Sequence, residues 1–120
     1  MHELGIESSV LQDILAGRKT IEGRLGKPKF LKIKAGDEIS LREDIWDNGK
    51  IIGTLDDVAS IIVKQVLYFT SFEEMLNSLD HQAAIPSAET IDEALDVYRK
   101  FYTPEDEEEY GVVAFIFELI

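Results

Sequence analysis

The chain has 120 residues, of which 45% are hydrophobic and 30% are charged, a balance that is typical of one ordinary folded domain. It contains no cysteine and two histidines, which excludes disulfides, a catalytic thiol and cysteine-based zinc or iron–sulfur sites. No apolar run approaches the roughly 20 residues of a membrane span, and the amino terminus does not resemble a signal peptide. We therefore expect a single cytoplasmic domain over residues 1–120, with no metal and no cofactor.

The basic residues are concentrated in one segment of an acidic chain. The net charge is −12, yet seven of the 12 Lys and Arg residues and only one of the 24 acidic residues lie within residues 18–34. That segment carries +6 and the remaining 103 residues carry −18. A basic patch on an acidic body is common in proteins that bind phosphate-bearing ligands, although a solvated Lys-rich loop has the same composition.

The first half of the chain predicts one helix followed by strands. Apolar residues at helical spacing predict a helix over residues 6–16, which Gly17 ends. Alternation of polar and apolar residues predicts strands over residues 20–25 and 38–43. The dipeptide Asn48-Gly49 predicts a hairpin turn after the second of these strands.

The second half predicts a long strand, short helices and a final strand. The β-rich run over residues 58–69 predicts a central strand, and residues 112–119 predict a buried one. A helix is predicted over residues 91–101, and a short exposed helical turn after Pro104. Two capping boxes predict helix starts, namely Ser71 with Glu74 and Thr90 with Glu93.

Residues 17–24 fit the pattern G-x-K-x-x-E-x-R, with Gly17, Lys19, Glu22 and Arg24 at the specified positions. On this motif the chain resembles the ASCH domains, a branch of the PUA-like superfamily linked to RNA. Further landmarks of the resemblance are Ile14-Leu15-Ala16, Phe30, residues 33–37 and residues 110–114. The resemblance covers essentially the whole chain. It implies a mixed α/β (α+β) fold, a small PUA-like β-barrel of mainly antiparallel strands with flanking helices.

The charged motif predicts a binding site for RNA, a nucleotide or a nucleoside. A strand places Glu22 and Arg24 side by side, and the cations Lys19 and Arg24 keep the carboxylate ionised. The same cations can donate hydrogen bonds to a phosphate or a base edge. We expect the three side chains to converge on one pocket; the alternative is a surface ion-pair cluster. The predicted ligand-binding residues are Lys19, Thr20, Glu22, Arg24, Lys27, Lys29 and Lys32.

The resemblance also leaves a catalytic alternative open. One ASCH branch is a small amidohydrolase that deacetylates acetylcytidine, using the motif lysine, a threonine three positions later and a distal glutamate. Lys19 matches the lysine, but Glu22 occupies the threonine position, and Thr20 matches a different, non-catalytic threonine. The distal glutamate aligns near Ser87, with Glu89 the nearest acid. In a second branch, reported as a ribonuclease, Glu22 and Lys19 could act as general base and electrostatic stabiliser.

The remaining aromatic residues carry weaker expectations. Trp46, beside the predicted hairpin turn, could stack on a base, but we expect it to pack across its own hairpin. Tyr98, Phe101 and Tyr102 are expected to belong to the core. The sequence names no protein partner and leaves undecided whether the protein is an enzyme.

Overall fold

The structure, a computed structural model, describes residues 2–120. In chain order the elements are β1 (His2–Ile6), α1 (Ser8–Leu15), β2 (Ile21–Leu25), α2 (Pro28–Leu31), β3 (Glu38–Asp47), β4 (Lys50–Phe69), α3 (Phe72–Ser78), α4 (His81–Ala84), α5 (Ile91–Arg99), α6 (Pro104–Tyr110) and β5 (Val112–Leu119). The strands form one sheet in the order β1-β3-β4-β5-β2. β1 pairs parallel with β3, and the other neighbours pair antiparallel. The predicted mixed α/β fold with mainly antiparallel strands is confirmed.

The predicted closure into a barrel is not confirmed, because the sheet is open. β1 and β2 are its edge strands, and no ladder joins them within residues 2–120. A side chain spans the gap instead. Nη2 of Arg24 on β2 donates to the carbonyl of Gly5 on β1 over 3.1 Å. The two edge strands therefore come close enough for one arginine side chain to bridge them, but they share no backbone ladder.

The first helix is shorter than predicted because a strand precedes it. Ile6, the first residue of the predicted helix over residues 6–16, is instead the last residue of β1 and pairs with Glu43 of β3. Its side chain is buried, as an inward-facing strand residue requires. The helix itself is Ser8–Leu15, and Gly17 follows with a φ of 77°. The strand β1 was not predicted.

The other predicted strands are present; residues 112–119 form β5 with the predicted bounds, whereas the ends of the remaining strands differ. The strand predicted over residues 20–25 begins at Ile21, and the one predicted over residues 58–69 is the second half of the 20-residue β4. The hairpin turn is confirmed. Asn48 and Gly49 both have positive φ, at 52° and 76°, as a two-residue hairpin turn requires.

The later helices depart from prediction at their ends and in exposure. The helix predicted over residues 91–101 ends at Arg99, which leaves Phe101 outside it and exposed rather than in the core. The turn after Pro104 is the helix α6, and it is not wholly exposed. Glu107 is buried, accepts from the amide of Phe72 and pairs with Arg99. This carboxylate joins three helices.

The predicted capping boxes form only in part. Ser71 and Thr90 accept hydrogen bonds from the amides of Glu74 and Glu93, as predicted. The reciprocal carboxylate contacts reach the amides one residue earlier, at Thr70 and Glu89. A full reciprocal box occurs at the start of α6, between Thr103 and Asp106.

The core is divided between the two faces of the sheet. One face packs against α1 and α2 and buries residues such as Leu11, Ile14, Val113 and Phe115. The other face packs against α3, α4 and α5. Its buried residues are Ile21, Leu25, Phe72, Met75, Leu76, Ala84, Ala88, Ala94, Tyr98, Val112 and Ala114. The edge strand β2 lies between both layers and carries Glu22 and Arg24 of the charged motif, and Lys19 lies just before it.

Candidate functional site

The strand β2 places Glu22 and Arg24 on one face of the sheet. They lie opposite Phe115 and Val113 of β5, which belong to the core beneath α1. Gly23 between them faces the other layer, where a Cβ would come within 2.9 Å of Met75 and 3.1 Å of the Tyr98 hydroxyl oxygen. A glycine at this position therefore lets α3 and α5 pack directly on the backbone of β2.

Lys19 is buried, and its ammonium is fully occupied. Only 4% of the residue is exposed. Nζ donates to the carbonyl of Ala84 over 2.6 Å and to the carbonyl of Ile21 over 2.8 Å. It also lies 3.1 Å from Oε1 of Glu22. An ammonium has three protons, so these three acceptors leave none for a ligand.

Glu22 is held between the two cations. Oε1 faces Lys19, and Oε2 accepts from Nη2 and Nε of Arg24 over 2.9 and 3.2 Å. Burial by itself raises the pKa of Glu22, but the charges and hydrogen bonds of Lys19 and Arg24 outweigh burial and lower that pKa. The predicted pairing of Glu22 with a cation is confirmed, and the carboxylate is ionised at neutral pH.

Arg24 is the member of the cluster that reaches outward. Its Nη2 donates to Glu22 and to the carbonyl of Gly5 on β1, and its Nε donates to Glu22. Its Cζ lies 5.5 Å from the centroid of the Phe30 ring. The side chain is 22% exposed, and Nη1 makes no hydrogen bond to any residue of the 2–120 range. This nitrogen keeps its two protons free for another acceptor.

The flanking lysines stand against aromatic rings. Nζ of Lys27 lies 5.4 Å from the centroid of Tyr110, and Nζ of Lys29 lies 5.5 Å from that of Phe30. Both lysines are exposed, as is Lys32 after α2. The proline at the first position of α2 starts the short helix that carries Lys29 and Phe30. Cation–ring contacts of this length orient an ammonium without neutralising it.

Thr20 lies apart from the charged cluster. Its backbone joins two elements, because its amide donates to Ala83 and its carbonyl accepts from Phe117, both over 3.0 Å. The residue borders an open cavity of about 410 Å³. This cavity is lined by Gly17, Arg18, Thr20, Asp80, Gln82, Ala83 and Pro86. Lys19, Glu22 and Arg24 converge on one another, as expected, but they are not among the residues that line this cavity.

Several contributors to the site could not be found from the sequence. The Gly5 carbonyl and the ring of Tyr110 approach Arg24 and Lys27 from distant parts of the chain, and no local pattern marks them. Tyr98 was predicted as core, which is confirmed, but its hydroxyl has no hydrogen-bond partner within residues 2–120. Burial and the negative charge of Glu22 raise the pKa of Tyr98. The phenol stays neutral beside the cluster.

Neither a metal-binding cluster nor a membrane-spanning helix occurs in the part of the chain that the structure describes. Residues 2–120 contain no group of three or more His, Asp or Glu side chains arranged to hold a metal ion. The helices in the same range are all too short to cross a bilayer. Trp46 lies in β3 opposite Ile51, with 47% of its surface exposed, outside the contacts of the charged cluster.

The comparisons with known proteins agree in fold and family. The model of the ASCH domain family matches residues 4–120. The crystal structure of the hypothetical protein PH0355 is 36% identical, with 98% of this chain and 97% of that chain covered at a TM-score of 0.81. The solution structure of protein PF0455 from Pyrococcus furiosus is 34% identical, with coverages of 99% and 96% and a TM-score of 0.75.

A more distant structure shares the fold alone. The crystal structure of a mutant of ZmASCH from Zymomonas mobilis is 14% identical, with 97% of this chain and 67% of that chain covered at a TM-score of 0.51. No curated protein matches the chain.

Proposed function

Because the chain belongs to the ASCH domain family, whose members generally resemble RNA-binding proteins, we propose that it binds RNA. The proposed binding surface is the basic face formed by Arg24, Lys27, Lys29 and Lys32. One observation carries the proposal. Three successive cations of this face each lie about 5.5 Å from one of two aromatic rings, Phe30 for Arg24 and Lys29 and Tyr110 for Lys27. A surface of cations interleaved with rings suits a flexible ribonucleotide, which offers phosphates and bases together.

The charge distribution supports a phosphate-bearing ligand. This face lies in the segment of charge +6, whereas the rest of the chain carries −18. An acidic body repels nucleic acid everywhere else and so restricts binding to the basic face. The exposed ammonium groups of Lys27 and Lys29 and the free Nη1 of Arg24 supply the donors.

In this proposal Lys19 and Glu22 position the ligand-binding arginine and do not touch the ligand. The three protons of Lys19 are directed at the carbonyls of Ala84 and Ile21 and at the Glu22 carboxylate. The same carboxylate accepts from Nε and Nη2 of Arg24. The guanidinium is thereby fixed with Nη1 pointing away from its partners. Thr20, predicted as a binding residue, lies on the separate cavity and serves here as a backbone junction.

The geometry gives the hydrolase alternative little support. A general base needs a pKa near the working pH, but the pKa of Glu22 is lowered by its two cations. Lys19 has no free proton to stabilise developing charge. Glu89, the acid nearest the predicted distal position, is exposed. Its amide donates to the Glu93 carboxylate, and its carbonyl lies within hydrogen-bond distance of the His81 ring. We therefore expect neither RNA cleavage nor release of acetate from acetylcytidine.

The test is the binding of a short fluorescent single-stranded RNA, followed by anisotropy over a salt series. Each phosphate contact on a single strand contributes a slope of about −0.7 in log K against log salt. The variant Lys27→Glu/Lys29→Glu should lose at least about tenfold in affinity at 0.1 M salt and flatten the slope by about 1.4. The matched control is Lys64→Glu/Lys100→Glu, which changes the net charge equally away from the basic face and should retain most of the affinity.

Two results would contradict the proposal. Equal losses in the two double variants would mean that net charge alone governs binding. The proposal would be refuted altogether if the wild-type protein did not bind RNA at about 100 μM, a concentration at which even nonspecific nucleic-acid binders bind. Incubation of the same protein with RNA and with acetylcytidine, analysed by mass, tests the hydrolase alternative directly.

A further inference from the structure

Arg24 and Tyr68 lie on the same face of the sheet, two strands apart. Val113 of β5 is the register partner of both, of Arg24 on β2 and of Tyr68 on β4. Directly paired residues of an antiparallel ladder point to the same face, so the three side chains form one row across the sheet. From the spacing of neighbouring strands, Tyr68 lies about 10 Å from Arg24 along this row.

Tyr68 is the exposed end of this row. Val113 is buried in the core beneath α1, and Val66, two residues before Tyr68 on β4, packs against the same core. Leu67 and Phe69, on either side of Tyr68, pack against the opposite layer, so the alternation of β4 is regular at this position. Tyr68 itself is 63% exposed. Its ring is therefore presented to solvent on the face of the sheet that α2 covers.

The outer edge of β4 is open beside Tyr68. β4 pairs with β3 only as far as Ile62, and the next residue, Val63, exchanges hydrogen bonds with Gly36 and Asp37 of the preceding loop. Beyond that point, β5 is the only strand that accompanies β4 within residues 2–120. A ligand can therefore approach the Tyr68 ring from the edge of the sheet as well as from above its face.

The basic segment crosses this same face. After β2 the chain continues through α2, and the amide of Gly36 then donates to the carbonyl of Val63 on β4 over 2.7 Å. Phe30, in the middle of this connection, packs against the core beneath α1, so the connection spans the face from β2 to β4. Its lysines are Lys27, Lys29, Lys32 and Lys34. An exposed ring on a face crossed by cations suits a nucleotide, which offers a base to the ring and a phosphate to the cations.

We propose that Tyr68 is a stacking platform for a base of the bound RNA, which extends the binding surface from the basic face to the open edge of β4. This inference rests on the proposed RNA binding and adds that the ligand is single-stranded, because a base stacked inside a duplex has no free face to offer the ring. Every base has such a face, so stacking on Tyr68 contributes affinity with little sequence preference.

Anisotropy with the same fluorescent single-stranded RNA tests the inference on three single variants. Tyr68→Thr removes the ring but keeps a residue that suits a strand, and it should weaken binding at least about fivefold. Tyr68→Phe keeps the ring and should stay within about twofold of wild type. The matched control is Phe101→Thr, which removes a ring of similar exposure, 60%, just beyond α5 on the opposite layer and should leave the affinity unchanged.

Two further readouts separate stacking from charge. A neutral ring releases no counterions, so Tyr68→Thr should keep the salt slope of the wild type, whereas Lys27→Glu/Lys29→Glu should flatten it. An abasic oligonucleotide of the same length has phosphates but no bases, so the wild type and Tyr68→Thr should bind it equally.

Thermal melts establish that every variant is folded before affinities are compared. The inference is overturned if Tyr68→Thr binds the single-stranded RNA like the wild type, or if Phe101→Thr loses as much affinity as Tyr68→Thr does. An equal loss of affinity for the abasic strand overturns it as well, because the ring then does not act through a base. In these three cases the proposed function still stands if the wild type binds RNA and Lys27→Glu/Lys29→Glu does not. A wild type that binds no RNA refutes both.

Discussion

Replacing Glu22 by glutamine removes the central charge of the cluster with little change of shape. The carboxylate accepts from Lys19 on one oxygen and from Arg24 on the other. An amide offers one oxygen and one NH₂ group, so one of the two cations must face a donor. Lys19 is almost entirely buried and cannot reach water without moving. Glu22→Gln therefore leaves an uncompensated buried charge.

The expected loss of stability is large for a single atom exchange. Removing one partner from a buried ion pair costs roughly 3–5 kcal/mol in the free energy of unfolding. The lower end applies here, because Arg24 is 22% exposed and can be partly solvated. We expect a loss of about 3 kcal/mol, which in a domain of this size lowers the melting temperature by roughly 10 °C.

Urea unfolding at pH 7, followed by circular dichroism, measures this loss. The matched control is Glu3→Gln, which removes the same charge from an ion pair with Arg42 whose members are 31% and 44% exposed. Pairs this exposed contribute about 0–1 kcal/mol. If Glu22→Gln unfolds within about 1 kcal/mol of the wild type, like the control, the cluster is not a coupled buried unit and our account of it is wrong.

Two further predictions concern the titration of Glu22 and the buried hydroxyl of Tyr98. The folded-state pKa of Glu22 is lowered from its ordinary 4.5, so its stabilisation is present above that pH and is lost as the pH falls through the lowered value. The gap in unfolding free energy between wild type and Glu22→Gln should therefore narrow below pH 4.5 in an acid series of urea titrations; a constant gap would contradict this linkage. Tyr98→Phe removes a buried hydroxyl without a partner and should leave stability unchanged or raise it by about 1 kcal/mol in urea. A loss above 1 kcal/mol (about the value of one hydrogen bond) would mean that the hydroxyl makes an important contact.

Local sequence patterns predicted the features that depend only on residues close together in the chain. Asn48-Gly49 forms the hairpin turn because few other dipeptides adopt two left-handed conformations in succession. Glu22 and Arg24 form an ion pair because alternate residues of a strand share a face. Helix starts at Ser71 and Thr90 were predictable for the same reason, since the capping contact spans three residues.

Sequence patterns were therefore enough to predict the family, the mixed fold class and the adjacency of the charges in the motif. The contacts of those charges depend on residues that folding brings from distant parts of the chain. The carbonyl of Ala84, 65 residues from Lys19, takes up one of its protons, and the carbonyl of Gly5 receives Arg24. Every residue has a carbonyl, so no pattern marks the one that a side chain will reach. No local pattern predicts that the sheet stays open either, because the distance between its edge strands depends on the curvature of all five strands together.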